Sequence, residues 1–115
     1  MGRARRIGGG NVLKIKGMDI YYIRGDDDSF SVQPTTADGT AITGYTGTFS
    51  VKRTYDDTDY VLQIAMDGAV VDLSHEKTQG LTYGDYVWDV QLVLGDGTHQ
   101  TIGPGKFHLL PDVTT

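Results

Sequence analysis

The sequence predicts an all-β fold, an antiparallel immunoglobulin-like β-sandwich of seven to eight strands with one short helical turn and an extended N-terminal arm. Apolar and polar residues alternate in many short segments, as in strands with one buried face. Turn-forming residues separate these segments at intervals of roughly ten residues. No segment has the length or periodicity of the crossover helices that a parallel sheet requires. A small barrel is the second choice.

Length and composition indicate one domain. A chain of 115 residues can bury a single modest core, and the absence of cysteine excludes disulfides and thiolate chemistry. We predict two parts, a flexible, basic, glycine-rich arm at residues 1–11 and a single β-sandwich domain at residues 12–115. No apolar run is long enough to span a bilayer, and the N-terminus lacks the apolar core of a secretory signal.

The charges separate the arm from the rest of the chain. Five of the ten Lys and Arg residues lie in the first sixteen positions, and the remainder carries five basic and fifteen acidic residues. The five basic residues, which we predict to bind a partner, are Arg3, Arg5, Arg6, Lys14 and Lys16. One interpretation is an arm that orders on an acidic partner surface such as a neighbouring subunit, and the other is a floppy terminus.

The first half of the domain contains four predicted strands. Residues 12–16 and 18–24 form the first two, and the third contains Phe30 and Val32 and ends at Pro34. Residues 35–45 connect it to a fourth strand at residues 46–53, which buries Phe49 and Val51.

A hairpin and a helical turn come next. Residues 62–66 and 69–73 alternate in hydrophobicity around an Asp67-Gly68 turn, which predicts a hairpin. Residues 74–80 are the helical segment, with Ser74 as N-cap and Gly80 in a left-handed position at its end.

A motif of the form L-x-x-G-x-Y precedes the strongest strand signal. It consists of Leu81, Gly84 and Tyr86. The glycine allows a sharp turn, after which the tyrosine hydroxyl can bond to backbone a few residues upstream, as in a tyrosine corner. The alternative is that Tyr86 is an ordinary half-buried strand aromatic.

Residues 85–94 form that strand, with Trp88 among its inward positions. A three-residue turn with Gly97 left-handed would pair Val90 with Ile102 and bury both, whereas a two-residue turn would expose Ile102. Phe107 has the opposite parity to Ile102, so we predict a bulge with an open edge at Pro104.

The sequence contains no recognisable catalytic or metal-binding constellation. The aspartate runs at residues 26–28 and 56–59 do not match the spacing of a calcium-binding loop, and solvated turns are the simpler interpretation. The three histidines lack zinc-site spacing, and no serine lies in a nucleophile elbow. We therefore predict a protein that is not an enzyme and has no metal and no cofactor. The acidic body disfavours nucleic acid as a partner.

The order of several motifs resembles a group of small bacteriophage virion domains, which includes the N-terminal domains of baseplate upper proteins and immunoglobulin-like modules of head fibres and tail fibres. The motifs are IRGDDDSFSV, ADGTAITGYTGTFSV, LTYGDYVWDVQL, a DGT turn and GKFHLLPDV, and they span residues 23–113. The resemblance implies a domain that docks onto other virion proteins. In that group a fibre or receptor-binding part follows the domain. Because the printed chain ends at Thr115, we expect a decoration or adaptor subunit instead.

These observations predict a non-enzymatic virion structural protein, a homo-oligomer assembled in the bacterial host cytoplasm that docks on the capsid or on the tail or baseplate. The alternative is a small carbohydrate-binding β-sandwich module. Its exposed aromatic residues would be Tyr21, Tyr55, Tyr60 and Tyr83.

Overall fold

The computed structural model describes residues 2–7, 14–16, 18–25, 27–36 and 38–111, with the backbone alone at residues 2–7 and 14–16. In this part of the chain the fold is all-β. The strands are β1 (Gly2–Ile7), β2 (Lys14–Lys16), β3 (Asp19–Ile23), β4 (Asp28–Pro34), β5 (Thr46–Lys52), β6 (Leu62–Ala65), β7 (Val70–Leu73), β8 (Gly84–Val93) and β9 (His99–Leu110), and one short helix, α1 (His75–Thr78), lies between β7 and β8.

The described strands form two sheets. The small sheet has the order β1-β4-β7, and the large sheet has the order β2-β3-β9-β8-β5-β6. All pairs are antiparallel except β3 and β9, which are parallel. The prediction of a purely antiparallel fold is therefore wrong at this pair. It assumed that a parallel pair needs a crossover helix, whereas here the rest of the domain connects β3 to β9.

The core lies between the two sheets. Phe30 of the small sheet meets Phe49 of the large sheet edge to face, with ring centroids 5.4 Å apart. The hydroxyl of Tyr22 on β3 donates to the carbonyl oxygen of Leu73 on β7 at 3.1 Å. The largest fully buried side chains are those of Trp88, Tyr22, Phe30, Phe49, Phe107, Ile20, Leu73, Leu92, Leu109, Val32 and Val51.

The β8–β9 hairpin has the predicted register. Val90 pairs with Ile102 and both are buried, and Gly97 has a φ of 87° in the three-residue turn. The pairing then shifts by one residue between Trp88 and Val90, which is the predicted bulge at residues 103–104 of β9. Side-chain parity predicts this register because the paired residues are close in sequence.

The predicted hairpin at residues 62–73 is wrong. β6 pairs with β5 in the large sheet, and β7 pairs with β4 in the small sheet. An isolated bridge between Asp67 and Val70 is the only pairing around the turn within the described residues. The alternation of apolar and polar residues showed that each strand has one buried face. It did not show that β6 belongs to the large sheet and β7 to the small sheet.

The helix is shorter than predicted and is capped differently. α1 covers His75–Thr78, Ser74 makes no side-chain capping bond, and Gly80 has no positive φ. Instead Oδ1 of Asp27, in the β3–β4 loop, accepts a hydrogen bond from the backbone N–H of His75 at 2.6 Å. At the other end of α1 the buried Thr78 hydroxyl accepts from the N–H of Gly25 at 3.1 Å. The helix therefore depends on tertiary contacts.

The N-terminal segment, for which we predict a flexible arm, contains one strand. Within residues 1–11, Gly2–Ile7 is the strand β1, paired antiparallel with β4 from Gly2↔Pro34 to Ile7↔Ser29. Residues 1 and 8–11 lie outside the described part. Arginine and glycine have little to bury, but pairing to β4 needs backbone hydrogen bonds and no apolar side chain.

Candidate functional site

The predicted partner-binding residues lie on two strands at the edges of the sheets. Arg3, Arg5 and Arg6 belong to β1, at the end of the small sheet, and Lys14 and Lys16 belong to β2, at the end of the large sheet. At their closest, the Cα atoms of β1 and β2 are within 8 Å. The side chains of these five residues lie outside the described part of the structure, so the prediction that they bind a partner stays a prediction.

The L-x-x-G-x-Y motif has the hydrogen bond of a tyrosine corner. The hydroxyl of Tyr86 donates to the carbonyl oxygen of Thr82 at 2.7 Å, and its ring is buried. Gly84 has a φ of 144°, in a region that side chains disfavour. Leu81 packs against the core and its carbonyl accepts from Arg24 at 3.2 Å. The motif thus joins α1 to β8.

Trp88 connects the inner core to the start of β3. Its indole N–H donates to the carbonyl oxygen of Met18 at 2.9 Å. Gly105 pairs with Trp88 across β8 and β9 and leaves room for the indole. Trp88 and Pro104 also line a small cavity on the outer side of the large sheet.

This cavity has a volume of about 40 Å³. Cross-strand pairing lines up Gln63, Ser50 and Asp89 on neighbouring strands, and the bulge at Pro104 lies beside Asp89. The complete lining is Ser50, Lys52, Tyr55, Val87, Trp88, Asp89 and Pro104. A volume of this size holds about one water molecule and is far below the several hundred Å³ of a typical ligand pocket.

Asp89 is the electrostatically unusual residue of the cavity. Its Oδ1 is buried and makes no hydrogen bond within the described part of the chain. Burial raises the pKa of the Asp89 carboxyl group above its usual value, and the positive charge of Lys52 partly opposes this rise. Ser50, directly opposite on β5, is also buried, and its hydroxyl accepts from Gln63 at 3.2 Å.

Two exposed tyrosines border the same region. Tyr55 lines the cavity and is 56% exposed, and Tyr60 is 42% exposed. The Lys52 ammonium lies 5.0 Å from the centroid of the Tyr60 ring. Both tyrosines lie in the β5–β6 loop, so this loop brings two of the four predicted aromatic residues to the outer face of the sheet.

The other two predicted aromatics have different neighbours. The guanidinium group of Arg24 lies over the Tyr83 ring, 4.3 Å from its centroid. Tyr21 stacks on His108, with centroids 4.4 Å apart. The structure therefore does not assemble the four tyrosines into one aromatic surface.

His108 forms a second polar cluster on the large sheet. Its Nδ1 is 2.8 Å from Oδ1 of Asp85, and its Nε2 is 3.7 Å from Oδ2 of Asp19. Two carboxylates and one imidazole are present, but no three such groups converge to hold a metal ion anywhere in the described ranges. Asp26 of the first aspartate run is outside those ranges, and Asp27 serves as the cap of α1.

Asp89, Lys52 and Ser50 were not singled out from the sequence. Alternation assigns Asp89 to the outer face, which is normally wet, and that assignment of face is correct. The sequence does not show that the β5–β6 loop and the β9 bulge cover this position. The sequence offered one signal, which is a lone aspartate, Asp89, in the middle of a predicted strand. A second predicted strand, at residues 46–53, is followed by a loop that contains two tyrosines.

No protein-family model matches the chain, and no curated protein matches it. Among the described helices there is none with the length and apolarity to cross a membrane.

Proposed function

We propose that this chain is a non-enzymatic structural protein of a bacteriophage particle, a decoration or adaptor subunit that docks on the capsid or on the tail or baseplate. The motifs that carry the resemblance lie on the strands around the core, namely β3 to β4, the connection to β5, and the corner with β8 and β9. The partners would be other virion proteins and further copies of this chain, and assembly would take place in the host cytoplasm.

We infer an immunoglobulin-like arrangement for the two sheets. In their order across the large sheet, β9, β8, β5 and β6 correspond to strands G, F, C and C′ of one sheet of that fold, and β4 and β7 correspond to B and E of the other. The hydrogen bond from Tyr86 to Thr82 before β8 supports the same assignment. The buried tryptophan departs from the antibody pattern, because Trp88 lies on the strand equivalent to F instead of C.

The observation that carries the proposal is the position of β1. This strand stands at the edge of the small sheet and has three arginines in its sequence. An edge strand offers unpaired backbone groups to a neighbouring chain. The rest of the chain is acidic, so a basic edge is complementary in charge to the body of another copy.

The experiment replaces the charges of β1 without removing the strand. A variant with Arg3→Gln, Arg5→Gln and Arg6→Gln should fold normally but be lost from particles purified on a density gradient, as quantified by mass spectrometry. Because exposed charge contacts are screened by salt, wild-type protein should also dissociate from particles as ionic strength rises. Mass spectrometry of the gradient fractions measures both effects.

The control removes the same charge elsewhere. The exposed residues Arg53, Lys77 and Lys106, each changed to Gln, should leave incorporation unchanged. Normal incorporation of the β1 variant would reject charge-driven docking through β1. Absence of the wild-type chain from the particles would reject the structural role.

A second candidate function is binding of carbohydrate. The observation that favours it is the grouping of Tyr55 and Tyr60 beside Lys52 and Asp89, since aromatic faces next to paired polar groups suit sugar rings. Saturable binding of the isolated chain on a glycan array would support it, and the absence of binding would count against it.

A further inference from the structure

We propose that the cavity beside Asp89 receives one hydroxyl group of a neutral pyranose sugar, whose ring lies outside the cavity against Tyr55. The proposal assigns a site to the carbohydrate-binding candidate function and rests on that function. It is independent of the docking of β1 on a particle.

The first argument is the buried acceptor. Oδ1 of Asp89 is buried and makes no hydrogen bond within the described residues, and the residue Asp89 lines the cavity. Buried polar atoms in native proteins are nearly always paired, and an unpaired one requires an explanation such as a ligand or an ordered water. A ligand O–H would supply the missing donor.

Second, residues of opposite charge line the same cavity. Lys52 lines the same cavity and attracts the Asp89 carboxylate. A cation entering the cavity would meet the ammonium of Lys52, and an anion would meet the carboxylate of Asp89. A neutral hydroxyl suits both groups, because it donates one hydrogen bond and accepts others.

Ser50 adds a further polar group at the floor. Its oxygen accepts from Nε2 of Gln63 at 3.2 Å, which leaves its own proton for a ligand oxygen. Ser50 and Asp89 are direct cross-strand partners, so the two strands hold these groups at a fixed separation. The site is therefore built on the sheet and not on a loop alone.

The third argument is size. A cavity of about 40 Å³ accepts one hydroxyl group but not a sugar ring. The ring must stay at the rim, where Tyr55 is 56% exposed and lines the opening. An aromatic side chain offers an apolar face for the C–H groups of a pyranose and a polar hydroxyl for its edge.

The test is a titration with methyl glucoside, methyl galactoside and methyl mannoside, which differ in the axial or equatorial position of single hydroxyl groups. Trp88 is the only tryptophan of the chain and lines the cavity, so its fluorescence and its indole N–H resonance report on occupation. We expect saturable changes for at least one of the three sugars, with Kd in the millimolar range on the order of 1 mM.

Two variants address the site. Asp89→Asn keeps the shape of the side chain but removes its charge, and Tyr55→Ala removes the ring. Each should weaken binding about tenfold, which corresponds to one charge-assisted hydrogen bond or one stacking contact. Amide spectra of both variants check that the fold is unchanged.

The matched controls are Asp85→Asn and Tyr83→Ala. Asp85 is an exposed carboxylate on the same strand that contacts His108, and Tyr83 is 47% exposed but does not line the cavity. Both controls should bind like the wild-type chain.

Two results would overturn the proposal, and they differ in meaning. If the wild-type chain binds a sugar and the Asp89 and Tyr55 variants bind it equally well, the site is wrong and the carbohydrate function stands. If none of the three sugars produces a saturable change, the proposed site fails, and the glycan array decides separately whether the chain binds carbohydrate.

Discussion

The indole N–H of Trp88 donates to the carbonyl oxygen of Met18 at 2.9 Å, across 70 positions of sequence. This contact fixes β8 against the turn that begins β3. It exists because Gly105, the cross-strand neighbour of Trp88, has no side chain. A Cβ atom at residue 105 would overlap the Met18 carbonyl and come within 2.5 Å of the indole nitrogen. Gly105 thus permits a partly buried hydrogen bond between β8 and the turn before β3.

Gly105→Ala should therefore be among the most damaging single changes in the large sheet. We expect the free energy of unfolding to fall by about 1–3 kcal/mol, the typical range of overpacking in a well-packed core. Urea unfolding followed by circular dichroism measures it. The control is Gly80→Ala, where an added Cβ meets nothing within 4 Å. Equal stability of the two variants would contradict the role of the Gly105 contact.

The tyrosine corner makes a separate prediction. Tyr86→Phe removes the hydroxyl that donates to Thr82 and leaves that carbonyl without this donor. The expected loss in the free energy of unfolding is about 1 kcal/mol, typical of one intramolecular hydrogen bond. Tyr83→Phe is the matched control, because Tyr83 is exposed and its hydroxyl remains in water. A Tyr86→Phe variant as stable as the wild-type chain would show that the corner is dispensable.

The parts of the fold that could be predicted from the sequence are those that depend on local parity. The pairing of Val90 with Ile102 and the bulge at Pro104 follow from the alternation of side chains along one hairpin. The parallel pairing of Ile20 with Phe107 does not, because residues 87 positions apart share no local pattern. Which sheet a strand joins is also a tertiary choice, and for this reason β6 and β7 were wrongly joined.

The candidate site shows the same division. Tyr55 and Tyr60 were predicted as exposed aromatics, and both are exposed. That they lie beside Asp89 depends on how the β5–β6 loop folds over the sheet, which composition and spacing do not encode. The Asp27 cap of α1 is similar, since a carboxylate 48 residues away serves as the cap that was expected of Ser74.

The cap of α1 can be tested with two substitutions. Asp27→Ala should lower the melting temperature, and Ser74→Ala should have little effect, because Asp27 and not Ser74 accepts the hydrogen bond from His75. The backbone hydrogen bond from His75 lowers the pKa of Asp27 below its ordinary value of 3.8.

The stability that this cap provides is therefore present above pH 3.8 and is lost as pH falls further. The difference between the wild-type chain and Asp27→Ala should close in strong acid. Melting curves from pH 7 to pH 2 measure it, and a difference that stays constant over this range would contradict the cap.

Asp89 should show the opposite dependence on pH. Burial raises its pKa above 3.8, so in the folded chain the carboxyl group loses its proton at a higher pH than in the unfolded chain. The folded state binds more protons between these two values, and stability therefore falls as pH rises through that window. Asp89→Asn cannot ionise, so it should melt at a higher temperature than the wild-type chain at pH 7, and this gain should disappear below pH 3.8.

Lys52→Gln removes the charge that opposes the shift and should raise the pKa of Asp89 further, which carbon NMR of the side-chain carboxyl measures directly. An Asp89 that titrates at or below 3.8 would contradict the raised pKa that burial predicts. A stabilised Asp89→Asn variant that binds sugar about tenfold more weakly would show that the fold keeps a costly charge for the proposed ligand.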